Sequence, residues 1–282
     1  MMLPTLSTSR SGTGKAGQRY VITTTSPSPG VLMIAIEGTR RRNALDLEGF
    51  HALAASWQEL ERSDDARVGV VTGNGTDFCS GADLVSIGPA ITRAVRGGQP
   101  AASVWNDIHA AVLRDLALTK PVVSAIEGIC FGAGMELVGA TDIRIAGESA
   151  RFALPEVRQG VIASGGSLAR LARQIAYAPA MQILLTGAEF SAARMAELAF
   201  VNEVVADGGA TERALAIAQA IAANGPMAVR ATKRAVTSGW GTDLARAYAI
   251  ENEIARQILT GPEAAEGARA FAGKRPPSWR LT

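Results

Sequence analysis

The chain is poor in histidine, cysteine and aromatic residues. Of its 282 residues, two are histidine, two are cysteine and 5% are aromatic. A histidine-rich metal site is therefore excluded, and a Ser-His-Asp triad could take its base only from His51 or His109. Both sit in helix-like stretches, where a packed or surface histidine is the ordinary reading. Cys79 and Cys130 have apolar or small neighbours and read as free buried thiols of a reducing compartment, not as a disulfide or a nucleophile. No apolar run approaches the ~20 residues of a membrane span. Net charge is only +2, and no Lys/Arg stripe interleaves with aromatics, so neither nucleic acid nor a membrane is an expected partner. Acidic residues are absent before Glu37. Residues 1–19, rich in Ser, Thr and Gly, lack the basic, amphipathic pattern of a transit peptide and are expected to be a disordered leader. Gly12, Gly14 and Gly17 match a dinucleotide fingerprint in spacing, but no strand precedes them and no helix follows in the pattern, so the match is rejected. A cytoplasmic location is expected from the missing signal peptide and the cysteine usage.

What is present is a globular composition, 48% hydrophobic with a mean hydropathy of +0.14. Val31–Ile36, Val68–Val71, Pro121–Ile126, Ile143–Ala146 and Arg151–Leu154 read as strands. Leu47, Phe50, Leu53, Ala54, Trp57 and Leu60 recur at helical spacing within Leu45–Arg62, and Val104–Ala117 and Met135–Ala140 also read as helical. Gly88–Pro100 reads as a loop or mobile section. This alternation predicts an α/β class. After about residue 165 helices dominate: Leu168–Ile175, Ala178–Leu185, Ala192–Leu198, Thr211–Asn224, Pro226–Ser238 and Asp243–Leu259. Thr211 is the expected N-cap of its helix, with Gly225-Pro226 and Gly261-Pro262 as stops. The expected division is an α/β body over 20–205 and a helical end over 206–282.

Two small-residue turns each follow an apolar strand and open a helix: Phe78-Cys79-Ser80-Gly81-Ala82-Asp83-Leu84 and Gly128-Ile129-Cys130-Phe131-Gly132-Ala133-Gly134-Met135-Glu136. A helix start leaves N–H groups free at the positive end of its dipole. Two starts converging on one point could hold a developing oxyanion, where each donor is worth about 10²–10³ in rate. They could equally be tight strand-to-helix turns. Glu136 follows the second turn, and Glu156 in Leu154-Pro155-Glu156 comes 20 residues later. Two carboxylates beside such a site could hold a water and exchange protons, each contributing about 10²–10⁴. Alternatively, Glu136 caps its helix and Glu156 is a surface acid. The residues alone leave both choices open.

At these positions the sequence resembles the enoyl-CoA hydratase (crotonase) family. The first turn is similar to the family's oxyanion loop. Gly128 through Glu136 to Asp142-Ile143-Arg144-Ile145-Ala146 is similar to its central signature, and Arg151 to Val157 with Gly160-Val161-Ile162 to its second catalytic segment. Arg42-Asn43-Ala44-Leu45, Leu184-Leu185-Thr186-Gly187, Ala231 to Ala235 and Phe271 to Pro276 extend the match from about residue 31 to 280. The resemblance implies a spiral of repeated β-β-α units with a helical C-terminal trimerisation region, assembled as a homotrimer or dimer of trimers. It implies that the Ala82 and Ala133 N–H groups bind the thioester oxygen. Glu136 would help activate a water, which Glu156 would hold while protonating the α-carbon. Arg42 and Ala44 would lie near the coenzyme A nucleotide, with Asp83, Leu84, Gly132 and Ser164 also contacting substrate. Phe271 and Lys274 would reach a neighbouring subunit's coenzyme A. No metal or organic cofactor is implied, since coenzyme A is part of the substrate.

The chain departs from the family pattern at Glu37-Gly38-Thr39-Arg40, at Ala133 where glycine is common, and at Ala163-Ser164-Gly165-Gly166-Ser167, where Ser164 is expected to offer its N–H to the water. Retention of both acids favours hydration of a 2-enoyl-CoA to a 3-hydroxyacyl-CoA. The alternatives are double-bond isomerisation, thioester hydrolysis or decarboxylation on the same scaffold, or a non-catalytic acyl-CoA-binding protein. A serine peptidase lacks support, as no Gly-x-Ser-x-Gly elbow is present.

Overall fold

The computed structural model describes residues 8–13, 19–38, 41–96 and 102–279. Strands β1 (Thr8–Thr13), β2 (Arg19–Ser28) and β3 (Val31–Glu37) form an antiparallel meander. Helix α1 (Leu47–Arg62) crosses over to β4 (Val68–Gly73), which pairs parallel with β3. Helices α2 (Leu84–Arg96) and α3 (Ala102–Ala111) follow. The chain then alternates between two sheets. β5 (Val122–Ile126), β7 (Ile143–Gly147) and β10 (Glu203–Val205) extend the large sheet in the order β1-β2-β3-β4-β5-β7-β10. β6 (Ile129–Phe131), β8 (Arg151–Ala153) and β9 (Phe190–Ser191) form the small one. Helix α4 (Ala133–Val138) lies between β6 and β7; α5 (Ser167–Gln174) and α6 (Tyr177–Thr186) precede β9, and α7 (Ala192–Glu197) follows it. The result is the spiral of strand, strand and helix that the resemblance implies. Helices α8 (Ala210–Ala222), α9 (Pro226–Gly239), α10 (Leu244–Leu259) and α11 (Pro262–Ala272) complete the chain. No helix among the described residues is long and apolar enough to cross a membrane.

The main core gathers the apolar face of α1 against both sheets. Phe50, Trp57 and Leu60 are fully buried, each side chain contributing about 1.5–3 kcal/mol by leaving water. The Trp57 indole N–H donates to the Ala111 carbonyl at 2.8 Å, tying α1 to α3. On the opposite face of the sheet, Ala210, Ala214, Ala218 and Ala222 of α8 pack on Val68, Val70, Val123 and Ile145. Alanine at every fourth position lets the helix lie close to the strands. Helix α8 is thus a layer of the α/β body, and a boundary at residue 205 would cut through this packing.

The structure corrects several expectations. Gly88 to Arg96 is helical, not loop, because Asp83 starts α2: its carboxylate accepts from the Val85 N–H at 3.1 Å and the Ser86 hydroxyl at 2.5 Å. Residues 97–101 of that stretch lie outside the described residues. Helix α3 stops at Ala111, six residues early, as Leu113 turns left-handed at φ 56°. Thr211 is not a cap, since α8 begins at Ala210 behind Gly209, and its hydroxyl instead meets that of Thr72 at 3.3 Å. Gly225-Pro226 and Gly261-Pro262 follow the ends of α8 and α10 as expected, but Pro262 also opens a further helix, α11, which suits a residue with fixed φ and no N–H to orphan. Within the expected disordered leader, Thr8–Thr13 is a strand paired with β2; residues 1–7 and 14–18 lie outside the described residues.

Candidate active site

Two backbone turns are brought side by side by parallel pairing. The Cys79 N–H donates to the Ile129 carbonyl and the Phe131 N–H to the Cys79 carbonyl, both at 2.9 Å. A second bridge joins Leu45 to Ala82: the Leu45 N–H donates to Gly81 at 2.9 Å and the Asp83 N–H to Leu45 at 2.7 Å. These bonds turn the intervening Ala82 N–H the other way, because N–H direction alternates along an extended chain. Gly81 has φ +98°, and a β-carbon there would stand 3.0 Å from the Phe131 carbonyl oxygen and 3.2 Å from the Ala133 nitrogen. Gly134 is equally constrained, since its β-carbon would fall 2.4 Å from the Cys79 carbonyl oxygen. Glycine is what lets the two turns touch. Among the described residues, neither the Ala82 nor the Ala133 N–H finds a hydrogen-bond partner in the protein. The two cysteines behind these turns are free and fully buried, and burial pushes the Cys79 thiol up to about 12. They are inert packing groups.

Both N–H groups edge a cleft of about 460 Å³. Its walls include Leu84, Ile87, Trp105, Ile108, Val161 and Ile162, and its polar end holds Glu136 and Glu156. The site lies where strands of the two sheets end and helix starts converge, a usual place for a small-molecule pocket.

Glu136 sits in the first turn of α4 and is 5% exposed. The Gly165 N–H donates to its Oε1 at 2.6 Å. A β-carbon at Gly165 would stand 2.6 Å from Glu136 Oε2, so this turn admits only glycine without displacing the carboxylate. Burial, and next the charge of Glu156, push the Glu136 carboxyl up to about 7, against the bonds donated by Gly165 and Ser167. Glu156 is half-buried on the one-turn helix Pro155–Gln159. Burial raises its carboxyl above the ordinary value, and among the described residues its Oε2 has no partner. Its Oε1 would lie 3.3 Å from a β-carbon on Gly132, so the acid abuts the second turn. One acid pair with displaced proton affinities therefore faces two free N–H donors, the arrangement of an acid–base site with an oxyanion hole.

The other expected residues divide. Leu84, Gly132 and Ser164 line the cleft. Asp83 does not: it is buried as the cap of α2. Arg42 is exposed with φ 62°, and its carbonyl accepts from the Ser80 N–H at 2.8 Å, so its backbone braces the first turn; Ala44 is half-buried beside it. Phe271, 89% exposed at the end of α11, and Lys274 just beyond it are not among the residues lining the cleft. At the 163–167 turn the Gly165 N–H donates to Glu136, a contact separate from the one expected between Ser164 and the water. Ile87, Trp105, Ile108 and Gln159 also line the cleft, with no sign of it in their local sequence. Only the exposed apolar pair Val161-Ile162 after Gly160 offered a local sign of a wall.

Fold and site together define an enzyme that handles an acyl compound at a paired-carboxylate, oxyanion-hole centre. The model of the enoyl-CoA hydratase/isomerase family matches residues 27–281, and the chain belongs to that family. It is 36% identical over 250 residues to enoyl-CoA hydratase EchA19 of Mycobacterium tuberculosis, covering 88% of this chain and 92% of that protein. It is 33% identical to mevalonyl-coenzyme A hydratase sidH of Aspergillus fumigatus, covering 90% and 93% of the two chains. Among solved structures, an enoyl-CoA hydratase from Bacillus anthracis superposes with a TM-score of 0.85 at 33% identity, over 93% of this chain and 99% of that one.

Proposed function

We propose that this family member is an enoyl-CoA hydratase, a hydro-lyase that adds water across the 2,3 double bond of a 2-enoyl-CoA to give a 3-hydroxyacyl-CoA. The observation that carries the reading is the pairing of Glu136 and Glu156 in one cleft with the free N–H groups of Ala82 and Ala133. The thioester oxygen accepts from both N–H groups, so charge developing on it as the nucleophile adds is met by fixed dipoles. Glu136, ionised, takes a proton from a water as that water attacks C3. Glu156, protonated and with one oxygen unpartnered, orients the water and delivers a proton to C2. As a coupled pair with raised proton affinity, the two acids can hold one proton between them near neutral pH, and hydration uses the form that carries it on Glu156. The apolar walls take the acyl chain, and coenzyme A enters as part of the substrate, with no further cofactor in the cycle. We place Phe271 and Lys274, on the exposed C-terminal helices, against the coenzyme A of a neighbouring subunit in a trimer or dimer of trimers, and the enzyme in the cytoplasm.

The test is loss of the conjugated-thioester absorbance of crotonyl-CoA and of a longer 2-enoyl-CoA, with Glu136→Gln and Glu156→Gln alongside. Rapid loss that needs both acids supports hydration. An inert wild type that still binds acyl-CoA overturns it.

A further inference from the structure

Arg114 lies on the turn after α3 and is not among the residues lining the cleft. Its Nη1 donates to the Ser164 carbonyl at 2.9 Å. That carbonyl and the Gly165 N–H belong to one planar amide, in which a trans peptide points C=O and N–H in opposite directions. The same Gly165 N–H is the donor to Glu136 Oε1 at 2.6 Å. A cation therefore holds one side of a peptide whose other side holds the acid. Holding the carbonyl toward Arg114 aims the N–H at Glu136, and polarises it as a stronger donor.

Arg114 is itself placed. Its Nη1 lies 2.9 Å from Nε2 and 3.2 Å from Nδ1 of His109. Asp115 Oδ2 lies 3.2 Å from His109 Nδ1. An Nδ1–H donated to Asp115 fixes the ring, and Arg114 Nη1, close to both ring nitrogens, packs against it. Burial, and next the charge of Arg114, hold His109 below its ordinary value against the opposing pull of Asp115. The ring stacks on Trp105 of the cleft wall, with centroids 6.0 Å apart. A second arginine closes the clamp: Arg170 donates to the Leu113 carbonyl and, at 3.4 Å, to that of Gly165.

We infer that Arg114 is a positioning residue for hydration: it fixes the Ser164–Gly165 peptide so that Glu136 stays aimed into the cleft, and the His109–Asp115 pair fixes Arg114. The kinetic consequence rests on the hydratase reading; the coupling to Glu136 rests on the geometry alone. A contact that merely braces the turn would lower stability without separating kcat from KM.

The experiment measures kcat and KM for crotonyl-CoA in the full chain and in Arg114→Met and Arg114→Lys. Misplacing a catalytic group by about 1 Å costs up to ~10²-fold, so Arg114→Met is expected to lose kcat by roughly 10–100-fold. KM should stay within about twofold. Arg114→Lys, whose ammonium still reaches the Ser164 carbonyl, should recover most of the loss. Unchanged kcat in Arg114→Met, a loss expressed wholly in KM, or no rescue by lysine overturns the inference. A second readout is independent of turnover: the Tm values at pH 8 of Arg114→Met, Glu136→Gln and the double variant. Non-additive shifts are expected and additive ones overturn the inference. Should the wild type leave crotonyl-CoA intact, the hydratase reading fails, and the Tm cycle still decides whether Arg114 is coupled to Glu136.

Discussion

Glu136→Gln should make the protein inactive and, above neutral pH, more stable. The side chain is 5% exposed, and its carboxyl is raised from 4.5 to about 7, first by burial and then by the charge of Glu156. A carboxyl whose folded value lies above its unfolded value favours the folded state in its neutral form. Below about pH 4.5 it is protonated in both states and imposes no penalty. As pH rises through 7 it ionises in the folded protein, and that stability is lost. The difference of about 2.5 units, at 1.36 kcal/mol each, is about 3 kcal/mol at pH 8. Glutamine keeps an acceptor for the Gly165 N–H and carries no charge, so the variant escapes the penalty. For a chain of this size the gain corresponds to a Tm higher by on the order of 5–10 °C at pH 8, shrinking toward zero near pH 4.5. Thermal unfolding of both proteins across pH 4.5–8.5 reads it directly. A gap that stays constant with pH, or one that closes as pH rises, would refute the reasoning. In the same protein, loss of the proton acceptor should lower kcat by about 10²–10⁴ with little change in KM.

Three further outcomes follow from the same geometry. The kcat/KM of the wild type should fall as pH drops below about 7, because Glu136 must be ionised to take the water proton; a profile flat down to pH 5 would remove it as the base. Gly81→Ala, at φ +98° with its new methyl 3.0 Å from the Phe131 carbonyl oxygen, should spread the two donor turns, lowering kcat by about 10–100-fold and stability by about 1–3 kcal/mol, read by kinetics and urea unfolding. Trp57→Ala, which empties a fully buried site and orphans the Ala111 carbonyl, should cost about 3–5 kcal/mol in urea unfolding.

Much of the fold was legible because its signals are local. The apolar repeat of Leu47 to Leu60 predicts α1 and its buried face, and Val68–Val71 predicts β4, because period and burial coincide along one short stretch. β2 was not legible: Arg19–Ser28 is mostly Ser, Thr and Pro after its first residues, and it is a strand because β3 offers it a ladder. The short strands β6, β8 and β9 likewise exist through pairing with distant segments. The loop expected from Gly88 is helix as far as Arg96, because the Asp83 cap outweighs the local preferences of Gly88 and Pro89.

For the site, the sequence by itself determined the chemistry-bearing residues: Glu136, Glu156 and the two glycine-rich turns stand in local runs that carry the family resemblance. Only the tertiary structure decided that they meet. Asp83, expected at the substrate, is a helix cap, and the Gly165 N–H that holds Glu136 has no signal in the local sequence. The wall of Ile87, Trp105 and Ile108 and the Arg114 link to Glu136 join segments far apart in the chain. Residue type and spacing encode what a short segment prefers. Which amide faces which carboxylate is set by hydrogen bonds between such segments, and these form only once the core between them has packed.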